Sequence, residues 1–138
     1  MASDTDLKAM FTRYFEEGTN KGNLNIVEEL FAPDYKHHDP ANPDVIVGNE
    51  GVTRHIQSLR GAFPDLVFHV DDMVSDGEKI VIRWTANVTH TGDYFGIPPT
   101  GKSAVITGMN TWQVQNGKAV EGWVNRDDIG LAQQLGWG

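Results

Sequence analysis

The order of patterns along this 138-residue chain predicts an α+β domain, with about three helices first, about four antiparallel strands next and a short helix at the end. Three observations carry that expectation. Apolar residues in the first half recur at helical spacing, as in Leu7, Met10, Phe11, Tyr14 and Phe15. After Leu66 the period becomes alternating, which is the strand signature. Two hairpin dipeptides, Asp76-Gly77 and Asn116-Gly117, then punctuate the alternating half.

Each element has its own justification. Ser3 with Asp6 three residues later resembles a capping box before the first apolar stripe, and Gly18 and Asn20 offer its stop. A shorter helix spans about residues 23–31, with Leu24, Val27, Leu30 and Phe31 inward. The stretch DYKHHDPANPDVIVG, which follows Pro33, holds two more prolines and reads as extended chain and loop. A third helix starts near Asn49 or Glu50, puts Val52, His55, Ile56, Leu59 and Phe63 on one face, and ends at Pro64. Strands at about 66–74 and 79–90 meet at Asp76-Gly77, a register that sets Trp84 opposite His69, Arg83 opposite Val70 and Ile82 opposite Asp71. TGDYFGIPPTGK reads as a Gly/Pro loop. The final hairpin and the tail helix IGLAQQLGW follow. Strands this long must twist, so helices on the inner face would close a one-ended cone, and Gly108 and Gly122 inside strands mark bulges or bends.

Composition narrows the function. The length suits one domain, residues 1–138, with a core of its own. Eleven basic residues scattered among 19 acidic ones, for a net charge of −8, argue against nucleic acid. No apolar run approaches a membrane span, and the polar, acidic start is neither a signal nor a transit peptide, so a cytoplasmic protein is expected. With no cysteine there is no disulfide, thiol nucleophile or thiolate-bound metal.

The candidate site comes from the last hairpin. If Asn116-Gly117 forms a two-residue type I′ turn, Trp112 faces Glu121, Asn110 faces Trp123, Gly108 faces Asn125 and Ile106 faces Asp127. One face then carries Trp112, Val114, Trp123 and Ile106 together with Asn110, Asn125 and Asp127. An apolar wall with a few convergent polar groups suits a small-molecule site; the same pattern also fits an ordinary sheet whose Asn125 and Asp127 sit at a solvated strand end. Other motifs offer less. His37 and His38 are adjacent on extended chain and point apart, no HExxH pattern reinforces them, and no metal is expected. No GxGxxG, Walker or nucleophile-elbow motif occurs, so no cofactor is expected. His55 on an apolar helix face reads as a core histidine, Arg83 as a solvated outer residue, and His69 as either a pocket or a surface group.

FAPDYKHHDP, the run from RGAFPDLVFHV through RWTANVTHTGDYFGIPPTGK, and NGKAVEGWVNRDDIGLAQQLG together resemble the SnoaL-like polyketide (ester) cyclase family, from about Leu7 to Gly136. The resemblance implies the cone-shaped α+β fold of the nuclear-transport-factor-like superfamily. It also implies a cofactor-free intramolecular aldol closure of an aromatic polyketide ring. In characterised members an aspartate near the end of the last strand is the general acid/base, and the matching position here is Asp127. Where those cyclases place a pocket histidine on the penultimate strand, this chain has Asn110, while His38 and His90 fall on family-like positions in HDP and HTG.

The resulting expectation makes Asp127 the base, with Asn110 and His38 or His90 donating to the enolate oxygen. Trp112, Trp123 and Phe95 would hold a flat, polycyclic or aromatic substrate, with Asn125 and His69 also at the site. A hydrolase, dehydratase or isomerase on the same cone is the alternative enzyme, with Arg83 and Asp71 as the arginine and second carboxylate. A non-catalytic small-molecule-binding dimer is the alternative outside enzymes. A homodimer is expected through the outer face of Thr107, Met109, Thr111, Val120 and Val124.

Overall fold

The computed structural model describes residues 4–137. Ser3 of the expected capping box lies outside them. Helix α1 (Asp4–Arg13) runs directly into a π-helical turn (Tyr14–Thr19), and α2 (Asn25–Leu30) follows. Strands β1 (Phe31–Asp39) and β2 (Asn42–Val47) precede α3 (Gly48–Ala62). The alternating half forms β3 (Val67–Ser75), β4 (Lys79–Thr89), β5 (Ser103–Gln115) and β6 (Lys118–Arg126), and α4 (Asp128–Leu135) ends the chain. The helices pack on one face of a curved six-stranded sheet in the order β2-β1-β6-β5-β4-β3.

The expected α+β class and element order hold, with two strands more than expected. The proline-rich segment assigned to loop forms the β1–β2 hairpin, and β1 pairs parallel with β6, so the sheet is mixed. Its prolines occupy tolerated places. Pro33 falls in the irregular stretch of β1 between Phe31 and Lys36, Pro40 in the turn, and Pro43 on β2, the edge strand.

Asn116 and Gly117 both have positive φ (52° and 76°), so the type I′ turn is present and Gln115 pairs with Lys118. The register then departs from expectation within three residues. Val114 pairs with Ala119, but Gln113 pairs with Glu121, which leaves Val120 as an extra residue on β6. This β-bulge reverses the side-chain parity of all that follows, because strand side chains alternate with period two. Gly122, Val124 and Arg126 face inward instead of Trp123, Asn125 and Asp127. The β3–β4 register also differs, with Trp84 opposite Val70. The turn there is longer than two residues, with Asp76 accepting from the backbone N–H groups of Glu78 and Lys79, and Asp71 is skipped.

The core is aromatic. Trp112 is 1% exposed, stacks on Phe11 at 4.4 Å and meets Tyr14 edge-on at 5.5 Å. Burying such a ring removes roughly 150–250 Å² from water, which outweighs any single hydrogen bond in holding α1 on the sheet. Beyond the end of β6 the β6-side edge of β5 has no strand beside it, and Gln134 of α4 fills the place. Its Oε1 accepts from Val105 N–H at 2.7 Å, and its Nε2 donates to the Val105 carbonyl at 2.9 Å.

Candidate active site

Between the inner face of the sheet and the helices lies a cavity of about 50 Å³. Phe15, Leu59, Phe63, Phe68, Trp84 and Val124 make its apolar wall. Its polar side chains are Tyr14, Thr19, His37, His55, Tyr94, Asn110 and Arg126. Each is delivered by local structure. His37 follows Tyr35 by two residues on β1 and so shares its inner face. His55 sits on the face of α3 that also carries Val52 and Ile56. Tyr94 comes from the loop after β4, which is tied to the end of α3 by Thr91 and Gly92 N–H donating to the Ala62 carbonyl at 3.1 and 3.0 Å. Arg126 is inside because of the bulge at Val120.

The electrostatics follow from burial. Desolvation, with the neighbouring His55 adding to it, lowers His37 to about 4. Desolvation and the Arg126 charge lower His55 to about 4, although its accessible area faces the cavity. Both imidazoles are therefore neutral at pH 7. Burial alone would lower Arg126, but Tyr94, Asp39 and Asp128 outweigh it and hold the guanidinium above its ordinary value. The guanidinium bridges two carboxylates, donating from Nη2 to Asp39 at 2.7 Å and from Nε to Asp128 at 2.9 Å. Burial raises Tyr94, with Arg126 beside its hydroxyl opposing the shift.

Two tryptophans anchor polar groups in this wall. Trp112 Nε1–H donates to the Tyr35 hydroxyl oxygen at 2.8 Å, and that hydroxyl lies 2.7 Å from His37 Nδ1. Trp84 Nε1–H donates to Asn110 Oδ1 at 2.7 Å. A glycine lies beneath each indole. A Cβ at Gly122 would overlap Tyr35 and Trp112, and one at Gly108 would overlap Trp84.

Of the expected site residues, Asn110 lines this cavity, 7% exposed. Trp112 lies behind it in the core, beside a smaller void shared with His37 and His55. The others stand elsewhere. Asp127 is exposed and caps α4, accepting from Gly130 N–H at 2.8 Å, because the bulge turned its face away from the cavity. Trp123 and Asn125 are outside for the same reason. His38, adjacent to inward His37, points outward, stacks on Trp123 and pairs with Glu121 at 2.7 Å. His69 is exposed beside Asn87, and Phe95 is 66% exposed. His90 is fully buried but packs behind the wall, against Phe63 and Trp137. Arg83 and Asp71 form an exposed pair at 3.8 Å, away from the cavity.

Arg126, His37, His55 and Tyr94 were not among the expected site residues. The in-strand Gly122 was the signal for the bulge that turns Arg126 inward. His37 had a signal in its period-two spacing from Tyr35. His55 had one in its apolar helix face, which is the cavity face. Tyr94 sits in a loop with no periodicity to reveal it. Among the described residues no three of His, Asp and Glu gather as metal ligands do.

No protein of curated function matches the chain. Solved structures do. TsrD of Streptomyces laurentii is 26% identical, with 99% of this chain and 98% of that one covered and a TM-score of 0.89. IdmH of Streptomyces antibioticus, described as a candidate polyketide cyclase, is 31% identical over 94% of this chain and 97% of its own, with a TM-score of 0.80. A candidate polyketide cyclase of Acidithiobacillus ferrooxidans is 28% identical over 98% and 97%, with a TM-score of 0.82. The model of the SnoaL-like polyketide cyclase family matches residues 9–135, a span that takes in every cavity residue from Tyr14 to Arg126. By that match and by its fold, the chain belongs to the SnoaL-like polyketide cyclase family.

Proposed function

We propose that the chain closes a ring in a polyketide-derived, multi-carbonyl substrate by an intramolecular aldol reaction, with the cavity as its reaction centre. The observation that carries this reading is a neutral imidazole, His55, set among hydrogen-bond donors in an apolar cavity beside a fixed cation, Arg126. His55 takes a proton from the carbon between two carbonyls. The enolate carbon then attacks a third carbonyl of the same molecule, forming the new C–C bond. The resulting alkoxide takes the proton back from the imidazolium. A low pKa makes His55 a weak base, suited only to an activated carbon acid, and a strong acid in the return step. Arg126, Asn110 and His37 offer charge and N–H groups to the developing oxyanion. The Asp127 carboxylate, spent on the α4 cap, is given no part in proton transfer.

The test uses a synthetic aryl 1,3-diketone with a further ketone within ring-closing reach. His55→Gln is expected to lower turnover roughly 10²–10⁴-fold, the range of general base catalysis. Asp127→Asn is expected to keep it. Loss of turnover in Asp127→Asn, with His55→Gln unaffected, would restore the aspartate as base and overturn this assignment. A second reading, hydrolysis or hydration, is favoured by one observation, the bridging of two carboxylates by Arg126. The mass of the product decides between them: ring closure leaves it unchanged or removes one water, and hydrolysis adds one.

A further inference from the structure

Four polar side chains of the cavity, His37, Asn110, Arg126 and Tyr94, are set as donors by their partners or their chemistry. An indole N–H can only donate, so the Tyr35 oxygen accepts from Trp112. In this buried site the Tyr35 hydrogen needs an acceptor, and His37 Nδ1 at 2.7 Å is the acceptor in place. His37 Nδ1 is therefore the unprotonated nitrogen, and the single proton of the neutral ring sits on Nε2. The same logic orients Asn110. Trp84 takes its Oδ1, so the amide offers its N–H groups elsewhere. Arg126 has no acceptor at all, and a Tyr94 oxygen that accepts from it keeps its own O–H to give. Thr19 stands apart, its hydrogen spent on the Phe15 carbonyl at 2.9 Å.

We propose that this cavity is a receptor for ligands carrying carbonyl or enolate oxygens, in which Trp112 and Tyr35 are positioning residues that hold His37 as an Nε2–H donor. This rests on the ring-closure reading for its catalytic meaning and on the hydrogen-bond chain alone for its physical content. A poly-carbonyl chain presents acceptors and satisfies such a wall; a ligand presenting only donors there, such as an ammonium group, leaves donor facing donor, and unpaired buried groups are the strong basis of rejection. Because Tyr35 and Trp112 lie behind His37, they tune it without occupying ligand space.

Two measurements test this. In uniformly ¹⁵N-labelled wild-type protein at pH 7, long-range ¹H–¹⁵N correlation spectra are expected to show His37 as the Nε2–H tautomer. Tyr35→Phe, which keeps the ring, is expected to lose that fixed pattern. A nitrophenol used as an oxyanion probe is expected to bind as phenolate, its absorbance showing a bound pKa below the free one, and Tyr35→Phe is expected to shrink that difference. An Nδ1–H tautomer, an imidazolium at pH 7, or binding of the neutral phenol would each overturn the proposal. Tautomer and phenolate preference without ring closure of the diketone would leave the receptor standing and remove the cyclase reading instead.

Discussion

At the residue scale the pair of Asp39 and Arg126 is the most exposed to error by mutation. Their side chains are 6% and 12% exposed, so the two charges are held by each other more than by water. Removing Arg126 leaves the Asp39 carboxylate desolvated without its counter-charge, which costs about 3–5 kcal/mol. Arg126→Met is accordingly expected to lower unfolding free energy by about 3 kcal/mol in urea titration. Asp127→Asn keeps a capping side chain, so it is expected to change stability by less than about 1 kcal/mol in the same assay. The histidines make a different prediction. His37 binds its proton near pH 4 when folded and near 6.5 when unfolded. Between those values the unfolded chain holds more protons, so stability is full above about 6.5 and falls as pH drops toward 4. The loss from His37 amounts to roughly 3 kcal/mol at most, at about 1.4 kcal/mol per pKa unit. Urea midpoints measured from pH 7 down to 4 check it, and a flat profile across that window would show that the burial argument is wrong.

At the scale of elements, one inserted residue decides which chemistry the last strand presents. Were Val120 paired with Gln113 as in a regular hairpin, the alternation would point Trp123, Asn125 and Asp127 at the cavity. Deleting Val120 removes the extra residue and keeps every pair from Gln113 and Glu121 onward, so Arg126 is expected to stay inward and the near-ultraviolet circular dichroism of the buried tryptophans to stay native. A deletion variant that loses those spectra would show that the bulge does more than set the parity. This is also where sequence reasoning stopped. Helix faces and the alternation of β4 and β5 were legible because period and burial agree over many residues. A bulge changes no composition and leaves only an in-strand glycine as its mark, so the turn was read correctly and the face beyond it was not. Similarly, the three prolines of the β1–β2 region were read as loop punctuation, although their positions suit an edge strand, a turn and an irregular stretch.

At the scale of the whole molecule, the six-strand sheet is covered by helices on one side, and its other side carries Val67, Val74, Val105 and Met109, 40–63% exposed. A homodimer through this face is the expected assembly, with Val124 removed from it because that side chain is inward and 5% exposed. Met109→Glu is expected to convert dimer to monomer in light scattering; a wild-type monomer at micromolar concentration would remove the expectation. No helix among the described residues is long and apolar enough to cross a membrane.

The carboxamide that Gln134 lays along β5 has a role at this scale too. A glutamine side chain carries the same donor and acceptor as a peptide unit, so it can stand in for the neighbour that the sheet lacks beyond Arg126. Replaced by leucine, it would leave a backbone N–H and C=O open beside an exposed valine, a ready template for a foreign strand. The tail helix is thus a plug against fibre growth as well as the final piece of the fold.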